Sequence, residues 1–251
     1  MPAPDLEREA RKRGIQTHIL DRSDDMGELA QAADGAPIGA AGGDGTLGLV
    51  ASAALERGLP FVCVPLGTRN HFARDLGLDP ANPVGALDGF DGHERAVDVG
   101  RAGGRVFLNN VAIGLYAGLV SEREQHHIRH GFVATSRAVS RSLMRRPDVL
   151  TIGGRSIRTR ILLVSNNYYE LGLFSLGRRA RLDTGRLHLY FATGLLPTDW
   201  ESRSGESFEI GAESDELRAA FDGEPVVVKP PIELKIEPRA LRVLVPPNPG
   251  G

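Results

Sequence analysis

The chain has 251 residues and a formal net charge of -2, with 41% hydrophobic and 25% charged residues, a composition typical of a folded globular protein with one or two domains. The low net charge argues against bulk attraction to nucleic acid, and the single cysteine excludes an intrachain disulfide or a cysteine-rich zinc site. No apolar run approaches the length of a membrane span or resembles a signal peptide, so we expect a cytoplasmic protein whose membrane contact is at most peripheral.

The first 95 residues alternate between helical and strand-like patterns. Apolar spacing predicts helices over 6–13, 28–33, 47–57 and 72–76, and strands over 15–20, 37–41 and 59–64. The last of these strands is an apolar run bounded by two prolines, as expected of a buried parallel strand. This order of elements predicts an α/β domain over residues 1–95, with a parallel sheet and helices on its faces.

Beyond residue 95 the pattern changes to short strands separated by turn residues, such as Asp222-Gly223. It predicts an antiparallel β domain over residues 96–251, interrupted by one helix from about 121 to 146. A hinge is expected near residues 90 to 97, and a cleft between two such domains is a common place for a two-substrate site. The candidate strands cover 97–99, 106–108, 161–164, 187–191, 208–210, 226–228 and 241–245.

The glycine-rich run from Gly42 to Thr46 is the first candidate site. Gly42, Gly43 and Gly45 lack a Cβ atom and let backbone N–H groups converge on an anion. Asp44 lies among them, and a carboxylate in an anion-binding turn is repulsive unless a metal or a transferable proton is present. The run therefore predicts phosphate chemistry rather than phosphate binding alone.

A second turn, Gly67-Thr68-Arg69-Asn70, follows the next predicted strand and precedes a helix. The helix N-terminus offers N–H groups to an anion, to which Thr68 can add a hydroxyl and Asn70 an amide. The alternative is that both turns are ordinary, with Thr46 and Asn70 acting as helix caps. Two such turns at neighbouring strand ends favour the functional interpretation.

Two other phosphate motifs fit less well. Gly43, Gly45 and Gly48 satisfy the dinucleotide pattern G-x-G-x-x-G, but no acidic residue stands about 20 positions further on to hold a ribose. A Walker-type loop is excluded because the chain contains no Gly-Lys-Ser/Thr sequence.

Taken together, several segments resemble the catalytic-domain family of diacylglycerol kinases, which includes bacterial lipid kinases and sphingosine kinases. The segments are Gly42 to Thr46, Pro65 to Ala73, Val97-Asp98-Val99-Gly100, Phe107-Leu108-Asn109-Asn110 with Gly114, Val164-Ser165-Asn166-Asn167 and Phe221-Asp222-Gly223-Glu224-Pro225. The resemblance implies an ATP-dependent kinase acting on a lipid hydroxyl such as that of diacylglycerol. It also implies an N-terminal Rossmann-like α/β domain and a C-terminal β-sandwich, a fold shared with NAD kinases.

The resemblance also implies roles for single residues. ATP would be held by the two turns, and Mg2+ would neutralise its oxygens. Asp44 and the Asp222/Glu224 pair would lie near the transferred phosphoryl group, and the resemblance leaves their division of roles open. We favour Asp222 as the base that takes the acceptor proton, with Glu224 assisting and Asp44 organising metal or acceptor. Without the resemblance, Asp222-Gly223 is better explained as a hairpin turn. The nucleotide-binding candidates are Gly42, Gly43, Gly45, Thr46, Gly67, Thr68 and Asn70.

The chain departs from the family pattern in several places, of which two concern phosphate and metal binding. Family members open with a strand and an Asn-Pro-x-x-Gly turn, whereas this sequence starts with Met1-Pro2-Ala3-Pro4 and a predicted helix. A longer natural protein, a neighbouring chain that supplies the missing part, or impaired activity would each account for this. Asp183-Thr184-Gly185 replaces the Asp-Asp-Gly loop that often holds a structural magnesium, and Arg181 is close to it, so no metal site is assigned.

The predicted helix over 121–146 carries two further patterns. Its arginine stripe, Arg137, Arg141 and Arg145, is typical either of an interfacial helix on anionic lipid or of a solvated face of a packed helix. His126, His127 and His130 have a spacing that can chelate zinc, but an exposed polar turn is the simpler interpretation. A homodimer, a catalytically impaired nucleotide-binding protein and an NAD kinase-like enzyme stay open as alternatives.

Overall fold

The computed structural model describes residues 2–21, 23–114, 147–170, 177–192 and 200–247. The chain forms two compact units: unit 1 comprises Met1–Asp98 and Arg239–Gly251, and unit 2 comprises Val99–Pro238. The predicted helix over 121–146, with its arginine stripe and its three histidines, lies outside the described residues. The sequence-based boundary between residues 95 and 96 stays a prediction.

Unit 1 is an α/β layer structure built on a small parallel sheet. Its elements are α1 (Ala3–Lys12), α2 (Met26–Ala32), β1 (Ile38–Gly42), α3 (Asp44–Arg57), β2 (Phe61–Pro65), α4 (His71–Asp75), α5 (Pro83–Ala86), a 3-10 helix (Leu87–Asp91) and the start of β3 (His93–Ala102). β1 runs parallel to β2. β2 also runs parallel to the last part of β14 (Ile232–Val245), the final strand of the chain.

The sequence explains the central elements of unit 1 directly. All five residues of β2 are buried, as the apolar run predicted. α3 packs on β1 and ends at Gly58, whose φ of 64° is a left-handed conformation that glycine adopts without steric cost. The predicted strand over 15–20, however, is wrong: the segment has no regular secondary structure, and Ile19 is 66% exposed.

Unit 2 consists mainly of antiparallel strands in two sheets. β14 (Ile232–Val245) pairs with β11 through its first half, β11 with β6 and β6 with β7, while β3 pairs with β4. The second sheet has the order β10-β9-β8-β5-β12-β13. The strands are β4 (Arg105–Phe107), β5 (Asn110–Gly114), β6 (Asp148–Ile152), β7 (Arg155–Thr159), β8 (Ile161–Asn166), β9 (Leu187–Ala192), β10 (Trp200–Gly205), β11 (Ser207–Ala212), β12 (Leu217–Phe221) and β13 (Glu224–Val228).

One apolar core joins the two sheets of unit 2, as in a β-sandwich. Alternate residues of both sheets point into it, and their side chains are almost fully buried. Its members include Leu150 and Ile210 from the first sheet, and Leu162, Val164 and Leu189 from the second. The predicted Asp222-Gly223 hairpin is present and joins β12 to β13.

The last strand, β14, contributes to both units. Its first half belongs to unit 2, and from Arg239 onward it belongs to unit 1, where Val243 and Leu244 pair with β2. Arg239 has a φ of 51°, and its N–H donates to the buried carboxylate of Asp98 at 2.8 Å. The sequence pattern did not indicate this return of the chain to the first unit.

No helix in the described ranges has the length and apolar character of a membrane span. The 14 residues of α3 are fewer than the roughly 20 that cross a bilayer.

Candidate functional site

The two glycine turns of unit 1 lie against each other through their backbones. Gly42 ends β1 opposite Pro65 of β2, and the N–H of Leu66 donates to Gly42 O at 3.1 Å. A Cβ atom on Gly67 would collide with the Cα atom of Gly43, whereas a Cβ on Gly43 would lie 3.7 Å from Gly67 Cα, an ordinary contact. Glycine at position 67 is therefore required by this close approach, and Gly43 has room beside it.

Asp44 joins the first turn to the helix after the second one. Its side chain is buried, and its carboxylate accepts hydrogen bonds from the N–H groups of His71, at 3.1 Å, and Phe72, at 3.0 Å. These are the first two amides of α4, so Asp44 caps that helix from 27 residues upstream. The helix amides compensate the carboxylate charge, and the predicted role in organising metal or acceptor stays a prediction.

Asn70 braces the second turn from within. Its Oδ1 accepts from the N–H of Gly67 at 2.9 Å, and its Nδ2 donates to Gly67 O at 2.8 Å. The residue has a φ of 50°, a left-handed conformation that asparagine tolerates better than most residues. The Asn70 side chain therefore shapes the turn, while the neighbouring Thr68 is exposed to solvent.

The first turn runs straight into α3. Gly43 is the N-cap, and Gly45 and Thr46 lie in the first helical turn, where N–H groups have no acceptor within the helix. The Thr46 side chain packs against Gly42, leaving no room for a side chain there. This helix N-terminus is the part of unit 1 best suited to an anion.

Burial alters the titration of two groups near these turns. Desolvation lowers the pKa of His71 below its ordinary value of 6.5. The negative charge of Asp44 opposes this shift, and the positive charge of Arg69 adds to it. Desolvation also raises the pKa of the Cys63 thiol, and the charge of Asp44 raises it further. Cys63 is buried in β2, as the sequence indicated, and is a core residue.

In unit 2, Asp222 occupies the first position of the turn between β12 and β13. Its φ of 49° and the φ of 94° at Gly223 are the left-handed pair that a two-residue hairpin requires. Its carboxylate accepts from the N–H of Leu108 at 2.7 Å, of Asn109 at 2.7 Å and of Asn110 at 3.0 Å. Three amides thus fix the orientation of this carboxylate.

Glu224 lies on the same hairpin, two residues from Asp222. It pairs with Phe221 in the ladder and is exposed, whereas Asp222 is half-buried. The hairpin therefore brings these two predicted carboxylates together by chain connectivity.

A buried polar cluster surrounds the segment from Leu108 to Asn110. Arg179 is 2% exposed and donates to Leu108 O at 2.7 Å, to Asn166 O at 2.8 Å and to Oδ1 of Asn109 at 2.6 Å. Asn166 adds bonds from its Nδ2 to Leu108 O and from its N–H to Asn109 O. Sequence reasoning missed Arg179 because no motif contains it; Asn109 and Asn166 stood only in the family segments.

The loop around Asp183 is held by protein contacts. Arg181 Nε lies 3.0 Å from Asp183 Oδ1, and Thr184 donates from its N–H and its hydroxyl to Oδ1 of Asn167. Within the described ranges, no group of three or more histidine, cysteine or acidic side chains is arranged to hold a metal ion.

Comparison with known proteins shows what the chain is similar to. A sequence profile of the diacylglycerol kinase catalytic domain matches residues 3–102. A probable lipid kinase YegS-like protein of Klebsiella pneumoniae is 28% identical over 234 residues, covering 83% of this chain and 77% of that protein. The resemblance to the diacylglycerol kinase catalytic-domain family is confirmed for residues 3–102.

Two further relatives show that the sequence similarity is concentrated in part of the chain. A probable lipid kinase YegS-like protein of Pseudomonas fluorescens is 41% identical over 100 residues, which is 38% of this chain and 33% of that protein. A diacylglycerol kinase of Staphylococcus epidermidis is 44% identical over 78 residues, which is 30% of this chain and 24% of that enzyme. The chain thus matches only about a third or less of the length of these two relatives.

Solved structures share the fold of this chain. A crystal structure of a diacylglycerol kinase from Bacillus anthracis superimposes with a TM-score of 0.69 at 20% identity, covering 98% of this chain and 93% of that one. A second structure from that organism, of a putative diacylglycerol kinase, gives 0.68 at 19% identity, with the same coverage of both chains. The predicted Rossmann-like domain with a β-sandwich is therefore confirmed.

Proposed function

We propose that the protein is a kinase that transfers the γ-phosphoryl group of ATP to a lipid hydroxyl of the diacylglycerol type. The observation that carries the proposal is the backbone contact of the two turns at Gly43 and Gly67, locked by the Asp44 cap on α4. Relatives of the chain are named lipid kinases and diacylglycerol kinases. Phosphoryl transfer asks a protein mainly for positioning and charge compensation, which rigid turns supply.

The residues of unit 1 fit a triphosphate. Gly43 has space at its Cβ position, and the N–H groups of Gly45 and Thr46 point out of the first turn of α3. Gly42 leaves room for the Thr46 side chain, and Gly67 allows the close approach of the Gly43 backbone. Asn70 holds the second turn, and the exposed Thr68 has a hydroxyl to donate. Bound ATP would supply the phosphoryl group for transfer.

Backbone N–H groups engage the carboxylates of both Asp44 and Asp222. In each residue both carboxylate oxygens already accept a backbone hydrogen bond, which makes chelation of a metal ion by either carboxylate less favourable. We therefore propose that Mg2+ enters with the nucleotide, held mainly by phosphate oxygens and water, as this ion commonly is.

Asp222 is the proposed base. As the acceptor oxygen bonds to the γ-phosphorus and the bond to ADP breaks, the hydroxyl proton passes to a carboxylate within hydrogen-bond reach. Three amides orient the Asp222 carboxylate, and the neighbouring Glu224 is exposed and positioned to assist. A lipid hydroxyl lies at a membrane surface, so the proposal includes peripheral association with that surface.

The deciding experiment measures transfer of labelled phosphate from ATP to diacylglycerol in phosphatidylglycerol vesicles. Asp222→Asn keeps the size of the side chain and is expected to lower kcat by about a hundredfold or more. Asp215→Asn, in an exposed loop of the same unit, is the matched control and is expected to match the wild type.

Three other results would overturn the proposal. Transfer to NAD instead of lipid indicates an NAD kinase-like enzyme. ATP binding without transfer to any acceptor indicates a catalytically impaired nucleotide-binding protein. Wild-type turnover in Asp222→Asn removes Asp222 from the mechanism.

A further inference from the structure

Arg179 is a buried cation whose contacts converge on one short segment. Its guanidinium is 2% exposed, and two of its three described acceptors, Leu108 O and Oδ1 of Asn109, belong to the residues that precede β5. The third acceptor, Asn166 O, belongs to the last residue of β8, and β8 pairs with β5. The ring of Tyr169 lies under the guanidinium, 5.1 Å from its carbon to the ring centroid.

The segment that Arg179 contacts also holds the Asp222 carboxylate. Leu108, Asn109 and Asn110 direct their N–H groups to Asp222, while Leu108 O and the Asn109 side chain accept from Arg179. Leu108 therefore bonds to Asp222 through its N–H and to Arg179 through its carbonyl oxygen, and Asn109 bonds to Asp222 through its N–H and to Arg179 through its side chain. Rotation of this backbone would break bonds to both side chains at once.

We propose that Arg179 is a positioning residue that fixes the 108–110 segment and, through its three amides, the orientation of the Asp222 carboxylate. This inference rests on the proposed function of Asp222 for its catalytic consequence. Arginine is suited to the position because its planar fork donates in fixed directions to several acceptors. Lysine has a single ammonium group at the end of a flexible chain and cannot reach the same three acceptors with the same geometry.

The kinetic test compares Arg179→Gln and Arg179→Lys with the control Thr159→Val. Thr159 is also buried in unit 2, where it ends β7 and its hydroxyl donates to Ile161 O at the start of β8. Asn166 lies at the opposite end of β8. We expect both Arg179 variants to lower kcat for phosphoryl transfer at least tenfold, with the KM for ATP within twofold of the wild type. Thr159→Val is expected to keep both constants.

A second readout does not depend on turnover. Amide hydrogen exchange measured by NMR is expected to be at least tenfold faster at Leu108, Asn109 and Asn110 in Arg179→Gln, and unchanged there in Thr159→Val. Full recovery of kcat and of amide protection in Arg179→Lys would overturn the proposal, because charge alone would then suffice. Unchanged exchange at the three amides in Arg179→Gln would also overturn it.

The two readouts separate this inference from the proposed function. If the wild-type protein transfers no phosphate to diacylglycerol but the amides lose protection in Arg179→Gln, the proposed function fails and the positioning of the segment stands. If transfer occurs and exchange accelerates but kcat is unchanged, the segment does not control the carboxylate and the inference fails.

Discussion

Asp44 has a structural role in the fold that the sequence did not indicate. The sequence makes it a candidate for chemistry, and the structure uses both carboxylate oxygens to cap α4. Asp44→Asn keeps one acceptor oxygen and replaces the other with an N–H donor. We therefore expect this change to lower the free energy of unfolding by about 1 to 2 kcal/mol, measured by urea denaturation.

The control for this prediction is Asp79→Asn. Asp79 makes a similar bond to the N–H of Ala81, but on an exposed turn, so its replacement is expected to shift the denaturation midpoint much less. If Asp44→Asn unfolds at the wild-type urea concentration, the cap does not contribute to stability, and a role for Asp44 in chemistry gains weight.

His71 makes the stability of the protein depend on pH. Its pKa in the folded chain lies below 6.5, chiefly because burial disfavours the charged imidazole. The unfolded chain therefore takes up a proton at higher pH than the folded chain does, and the free energy of unfolding falls as the pH drops through 6.5 toward the folded pKa. Above 6.5 both states are neutral at this residue and the effect is absent.

His71→Gln removes this titration and keeps the backbone N–H that Asp44 accepts. We expect the free energy of unfolding to fall less steeply below pH 6.5 in this variant than in the wild type, measured by urea denaturation at several pH values. Parallel curves for the two proteins between pH 7 and pH 5 would contradict the assignment.

At the scale of elements, the two strand-to-helix turns act as one unit through a pair of glycines. A Cβ at position 67 collides with the Gly43 backbone, whereas a Cβ at position 43 meets only an ordinary contact. We expect Gly67→Ala to destabilise the fold by about 1 to 3 kcal/mol, and Gly43→Ala to keep its stability within about 1 kcal/mol. Thermal unfolding of the two variants measures the difference.

The same pair separates folding from ligand binding. If phosphate approaches the Gly43 backbone, a methyl group there is expected to weaken ATP binding by about tenfold, or about 1.4 kcal/mol, measured by calorimetry. Equal stability losses in the two variants would mean that the turns do not pack as described. Unchanged ATP affinity in Gly43→Ala would place the nucleotide elsewhere.

Local patterns predicted those elements whose signal lies within a few residues. The apolar run of β2 and the Asp222-Gly223 hairpin both follow from the sequence. β5 and β12 escaped prediction because asparagine and alanine, which have low strand propensity, occupy much of them. The alternation in β14 reveals a strand but not its partner, so its parallel pairing with β2 could not be read from it.

The candidate site shows the same limit. Motifs identified Asp44, Asn70 and Asp222, but each makes its described contacts with backbone groups whose positions only the fold determines. Arg179 lay outside every motif, since its importance comes from acceptors about 70 positions away in the chain.

At the scale of the whole molecule, each unit carries its own part of the proposed chemistry. The glycine turns, with Asp44 and Asn70, belong to unit 1, and Asp222 with the 108–110 segment belongs to unit 2. A ligand that binds only the folded state stabilises that state by about 2.7 kcal/mol at a hundred times its Kd. It also slows amide exchange in segments that must open for the ligand to be lost. The proposed function therefore predicts where a nucleotide alone should protect the chain.

Hydrogen exchange with mass spectrometry tests this prediction directly. We expect the β,γ-imido analogue of ATP to slow exchange in peptides that contain 42–46 and 67–70, because both turns would close on the triphosphate. Gly43→Ala serves as the control, since it keeps the fold but is expected to lose most of this protection at the same nucleotide concentration. Protection confined to peptides of unit 2 would assign nucleotide binding to the β-sandwich, because it would show that the turns of unit 1 do not contact the nucleotide.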